Sequence, residues 1–264
     1  MSDATSKPLV ASDKKTSTTG ITWHWWTAII IIVVVYLAAQ YLGAQLAIIY
    51  PYFKHWSNSS TTNWLNNSPI AQFIYVLMAE IFTVLFIWLF IKWRKGTLKA
   101  IGLAKPKLID IAYALTGLVI YFPLYIVIVL ILTHFIKSLN VAQQQQIGFS
   151  QSTSGWSLVL VFISLVILPP IAEEIMFRGF LYSSLKKSLP KVLAVLITCL
   201  LFASPHLLES TGGGLLWIAG IDTFTLSLVL IWLREKTGRL YAGMGLHAFK
   251  NFIAFASLFL LHAH

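Results

Sequence analysis

Residues 156–185, WSLVLVFISLVILPPIAEEIMFRGFLYSSL, read as oily enough to lie in a lipid bilayer, yet they carry Glu173, Glu174 and Arg178. A membrane-spanning helix needs about 20 mostly apolar residues, and this run qualifies in spite of its charges. Six more runs of the same kind flank it, near residues 24–50, 70–93, 110–136, 190–208, 214–234 and 240–261. The whole chain of 264 residues is 58% hydrophobic and only 11% charged, with a mean hydropathy of +0.78. That balance excludes a soluble globular domain. The expected fold is all-α, a polytopic transmembrane helix bundle of about seven spans.

Lysine and arginine positions test the count independently. Lys7, Lys14 and Lys15 precede the first run; Lys92, Arg94, Lys95, Lys99, Lys105 and Lys107 follow the second. Lys186, Lys187 and Lys191 lie around the fourth turn-back, and Arg234, Lys236 and Arg239 before the last run. The intervening loops hold only Lys54, Lys137 and, around Glu209, no base at all. Such alternation predicts seven crossings of the cell membrane with the N-terminus cytoplasmic and the C-terminus outside. The formal net charge of +10 is explained by the same rule, so no nucleic-acid partner is expected. Cys199 is the one cysteine, which excludes a disulfide framework and a Cys-based metal site within this chain; in its apolar run it reads as packing.

Three regions are expected: a disordered cytoplasmic tail over 1–22, N-terminal transmembrane helices over 23–96, and a second domain over 97–262 that holds the intramembrane ionisable groups. The tail is rich in Ser, Thr and Lys and lacks the apolar core of a signal peptide. Trp23, Trp25, Trp26, Trp56, Trp64, Trp88 and Trp93 cluster near proposed helix ends, as in interfacial belts. TLKAIGLAKPKL, 97–108, is basic and amphipathic and reads either as a surface helix or as a solvated connector. NVAQQQQIGFSQSTSG, 140–155, is a polar loop with no chemistry of its own. Sequons begin at Asn58 and Asn66.

Ionisable groups inside a bilayer are costly and mark functional sites. Glu174 and Arg178 are four apart, share a helix face and can neutralise one another. Glu173 points about 100° away, which leaves it for a reactive role. The next span has Phe202 four residues before His206; the last has His247 four before Asn251. Counting about 15 residues back and about 17 forward from a turn at 188–189, Glu173 and His206 fall within roughly 3 Å of one depth at 1.5 Å per residue. His247 lies only about nine residues from its turn, so either a helix end is displaced or that turn is deeper. The packing alternative for a lone intramembrane His, a hydrogen-bonded core residue, stands beside the catalytic one. Glu80, Asp222, Thr223 and Lys250 are weaker candidates, as buried partners or, for Lys250, as a cation whose stem lies in apolar surroundings. His262 and His264 are expected in the outer interface.

Glu-Glu-x-x-x-Arg at 173–178, Phe-x-x-x-His at 202–206 and His-x-x-x-Asn at 247–251, in this order on late helices, resemble the CPBP family of intramembrane proteases. That family includes the eukaryotic-type CAAX prenyl proteases and the bacterial Abi proteins, some linked to bacteriocin self-immunity. The resemblance covers about residues 97–260. It implies an intramembrane endopeptidase, commonly labelled a metalloprotease, acting on a membrane-associated peptide or protein. Glu173 would be the catalytic carboxylate with His206, His247 and Asn251 as partners and Glu174 and Arg178 in support.

Two mechanisms fit these side chains. In one, His206, His247 and a glutamate hold Zn²⁺ and an activated water. In the other, no metal is used: Glu173 with His206 activates water, and His247 and Asn251 donate hydrogen bonds to the oxyanion. Asn is a poor zinc ligand and a good oxyanion donor, which favours the second role for Asn251. The four are expected to share a water-accessible cavity opening toward the cytoplasm. The competing reading is a non-catalytic immunity or scaffold protein that binds a bacteriocin-like peptide or its receptor through the same cavity. A transporter is a third, and the lack of internal repeats counts against it.

Overall fold

A computed structural model describes residues 20–261, apart from 144, 146, 151, 152 and 211–213. The tail up to residue 19, and His262 and His264, lie outside the described residues. Among the described residues, seven helices are long and apolar enough to cross a membrane: α1 (Trp25–Phe53), α3 (Pro69–Trp93), α4 (Ile109–Phe135), α5 (Ser157–Ser188), α6 (Lys191–Leu208), α7 (Trp217–Thr237) and α8 (Tyr241–Leu260). A short helix, α2 (Asn58–Asn67), occupies the first loop. Among the described residues there is no strand, only an isolated bridge between Gln145 and Ser210. The protein is an all-α, multi-pass membrane protein.

Local chemistry sets the helix ends. The Ser68 hydroxyl accepts from Ala71 N–H at the start of α3, and Pro69 fills the first helical position, where its missing N–H costs nothing. Gly238, at φ 67°, closes α7 by donating its N–H to the Arg234 carbonyl. Spacing alone does not predict α5. It alternates α turns with two π segments, Ile163–Ile167 and Glu174–Leu181. Pro169 and Pro170 have no N–H to offer, so the Leu165 carbonyl lacks a donor both four and five residues on. This interrupted helix is central: it touches α1, α3, α6, α7 and α8.

The Lys- and Arg-rich end is closed. Trp23, expected in an interfacial belt, is instead buried there; its ring stacks on Phe180 and its indole N–H donates to the Ser184 hydroxyl at 2.7 Å. Trp93 and Trp26, by contrast, are exposed. The segment 97–103 forms turns and no helix, with Ile101 fully buried. Ile101 and Leu240 both dock on Gly179, where a Cβ would lie 3.2 Å from the Ile101 carbonyl oxygen and 3.2 Å from Leu240 Cδ1. The turn before α8 thus starts at the depth of Gly179, six residues past Glu173. His247, seven residues after Leu240, therefore reaches the level of Glu173, and the mismatch in the residue count came from this sunken turn.

Candidate active site

Four side chains singled out in the sequence, Glu173, His206, His247 and Asn251, line one cavity of about 310 Å³. Helix α5 supplies Glu173, the last turn of α6 supplies His206, and α8 supplies the other two. The cavity lies in the half of the bundle away from the Lys- and Arg-rich loops. This corrects the expected opening at the basic end. Toward that end, the fully buried Phe180, Leu181 and Leu185 fill the space beneath Glu173.

The adjacent carboxylates differ sharply. Glu174 is 1% exposed and makes an ion pair with Arg178, Oε1 to Nη1, at 3.2 Å; Arg178 is 0% exposed. None of the buried N–H groups of Arg178 or oxygens of Glu174 has an aligned hydrogen-bond partner among the described residues. The guanidinium lies instead over the Phe202 ring, 4.0 Å from its centroid, where the ring quadrupole offsets part of the desolvation. Phe202 also meets both imidazoles nearly edge-on, at centroid distances of 5.7 Å to His206 and 5.9 Å to His247. Room for the Glu174 carboxylate comes from Gly243: a Cβ there would lie 2.7 Å from Glu174 Oε2.

Glu173 is 22% exposed and faces the cavity. His247 sits between the two carboxylates, Nε2 at 3.8 Å from Glu173 Oε2 and Nδ1 at 3.7 Å from Glu174 Oε1. Both separations exceed hydrogen-bond length, so the imidazole needs only a small shift to engage either. Asn251 donates its Nδ2–H to the Leu165 carbonyl at 2.9 Å. That is the carbonyl Pro169 and Pro170 leave without a donor, so a side chain 86 residues away completes the broken helix.

Sequence reasoning missed Glu209. Its carboxylate lies 3.2 Å from His206 Nδ1 and accepts from the Gln145 side-chain amide. Burial pushes the Glu209 carboxyl up, but hydrogen bonds from His206 and Gln145 and the nearby charges outweigh it and hold the group below its usual range. The His-x-x-Glu spacing at 206–209 was the available signal. The partner also orients the imidazole, because a proton on Nδ1 has the Glu209 carboxylate to bind and Nε2 is the other ring nitrogen, on the cavity lining. Gln145 and Ile147, from the loop read as having no chemistry, line the cavity as well.

Of the weaker candidates, Asp222 binds Lys250 Nζ at 2.7 Å and accepts from the Tyr121 hydroxyl, and Asp222 and Lys250 lie on the cavity wall. Thr223 turns its hydroxyl back to the Ala219 carbonyl. Glu80 is shared between the cavity and an apolar groove of about 500 Å³ between α3 and α5.

His206 Nδ1 lies against Glu209 and His247 lies between two carboxylates; among the described residues no three His, Cys, Asp or Glu groups are spaced to hold a metal ion. Residues 155–253 match the family model described as Type II CAAX prenyl endopeptidase Rce1-like. No curated protein and no solved structure matches the chain.

Proposed function

We propose that the chain, whose residues 155–253 match the CAAX prenyl endopeptidase family model, is an intramembrane endopeptidase in which Glu173 activates the hydrolytic water. The observation that carries this reading is the shared cavity, with Glu173 open to it and Glu174 committed to Arg178. A water between Glu173 and Nε2 of His206 gives its proton to the carboxylate while its oxygen attacks the scissile carbonyl carbon. The carbonyl π electrons move onto oxygen, and that oxyanion accepts hydrogen bonds from Asn251 and His247. On collapse the C=O bond reforms and the C–N bond breaks. The proton held on Glu173 passes to the leaving amine.

Glu209 acts through His206, holding its tautomer. Asp222 and Lys250 keep one wall polar without touching the reacting atoms. The clustering of Lys and Arg in these loops favours the cytoplasmic side of the cell membrane for that end, and the proposed substrate is a peptide segment of a membrane-associated protein or peptide.

The test uses purified protein with candidate peptides, wild type against Glu173→Gln, and reads products by mass. Cleavage by the wild type and none by the variant is expected. Equal cleavage by both removes the assignment of Glu173.

A further inference from the structure

On the reading just given, with the basic end cytoplasmic, the position of the cavity says where its substrate comes from. Every wall of the cavity lies toward the opposite loops. Tyr75 is six residues inside the start of α3, Asp222 five residues inside the start of α7, and Leu258 two residues from the end of α8. The rim carries Gln145 and Glu209, which belong to the loops that precede α5 and follow α6 and are hydrogen-bonded to each other. Glu173 is at the floor, and the buried side chains of Phe177, Phe180 and Leu181 separate it from the basic end. The basic loops are tied shut beneath that floor: Arg239 forks onto Asp110 through Nε at 3.0 Å and Nη2 at 2.6 Å, and Lys186 and Lys191 both bind Glu235.

We propose that the site is entered from the extracytoplasmic face, over the rim formed by Gln145 and Glu209. Its substrate is then a peptide segment displayed on that face, a loop or terminus of a membrane protein or a peptide held at the outer leaflet. A cytosolic chain end would have to cross the packed half of the bundle to reach Glu173. This assignment rests on the protease reading for what happens at the site and on the charge rule for which face is outside, while the route itself follows from the packing.

Single-cysteine variants in a Cys199→Ser background test the route in intact cells with a membrane-impermeant thiol reagent. Ala219→Cys and Ala254→Cys place the thiol on the cavity wall; Lys236→Cys places it at the exposed basic end. Each variant is first checked for normal expression and detergent-extracted monodispersity, so that misfolding is not read as protection. The expected result is labelling of the two wall thiols from outside and of Lys236→Cys only after the membrane is opened. Wall thiols that react only after opening would put the entrance on the cytoplasmic side. Wall thiols that react under neither condition would give the site to the apolar groove, and either outcome overturns the proposal. Labelling is read without turnover, so repeating it in Glu173→Gln separates failure of the route from failure of the protease reading.

Discussion

Toward the Lys- and Arg-rich loops the bundle is solid, with Phe180, Leu181, Leu185, Leu230 and Leu233 at zero exposure and Trp23 wedged between Phe90 and Phe180. Toward the other loops the same helices part around a polar cavity of about 310 Å³. Composition does not separate the halves, since both are made of strongly apolar helices. Proline does. The cavity half holds Pro169 and Pro170 beside the π segment at 163–167, and the 3₁₀ turn Pro205–Leu208 that carries His206, whereas the second π segment, Glu174–Leu181, runs into the solid half with every residue buried. Where helices break, backbone groups lose their internal partners, and a bilayer allows that only beside other protein or a wet cavity.

The largest effect on either half is expected at the boundary between them. Replacing Glu173 by Gln should lower turnover by about 10²–10⁴, the usual contribution of a general base, with the melting temperature unchanged, as judged by peptide cleavage and thermal unfolding in parallel. A stability loss of the same variant would move Glu173 into the solid half. Next is Arg178→Ala, which strands the Glu174 carboxylate at 1% exposure. Removing one partner of a buried pair costs about 3–5 kcal/mol, so poor expression and early unfolding should accompany lost activity. Normal unfolding with selective inactivation would place Arg178 among the reacting groups.

Asn251→Ala should straddle the comparison. Loss of an oxyanion donor predicts a fall of about 10²–10³ in kcat, while the abandoned Leu165 carbonyl predicts about 1–3 kcal/mol of lost stability. Gln at this position retains the donor but misplaces it, so a variant that recovers stability without turnover would separate the two roles. The smallest effect belongs to Glu209. Its folded carboxyl titrates below the normal range of about 4.3, so its contribution is fully present above that value and is lost as pH falls through the lower, folded one. Glu209→Gln should remove this acid-side step in a pH series of unfolding curves and slow turnover by about tenfold or less, the scale of one hydrogen bond. An unchanged acid limb would show that Glu209 is not coupled to folding.

The seven spans were legible because length and hydropathy are local properties, and their ends fall close to those read from the runs. The Glu174–Arg178 pair was legible for the same reason, as a four-residue spacing on one helix. Trp23 was misplaced because an interfacial and a buried Trp look alike in sequence; only the Ser184 hydroxyl, 161 residues away, tells them apart. Ile101 was hidden inside an amphipathic pattern that suits a surface helix, while the structure uses it as a plug against Gly179. Gly243 gave no signal either, since its role is the space it leaves for a carboxylate on another helix. The depth of His247 could not be computed from residue counts because the turn before α8 is sunk into the bundle.

The amide of Asn251 has two hydrogens and a fixed tether. One is held by Leu165, a carbonyl with no other suitor in its own helix, so rotation of the amide is blocked for as long as the helix stays broken at the prolines. In the proposed reaction the other hydrogen is then a stationary dipole, set in place when the chain folds and not when substrate arrives. Its alignment should therefore be nearly independent of temperature across the working range. A freely turning amide would instead lose alignment on warming, as its rotamers become more evenly populated.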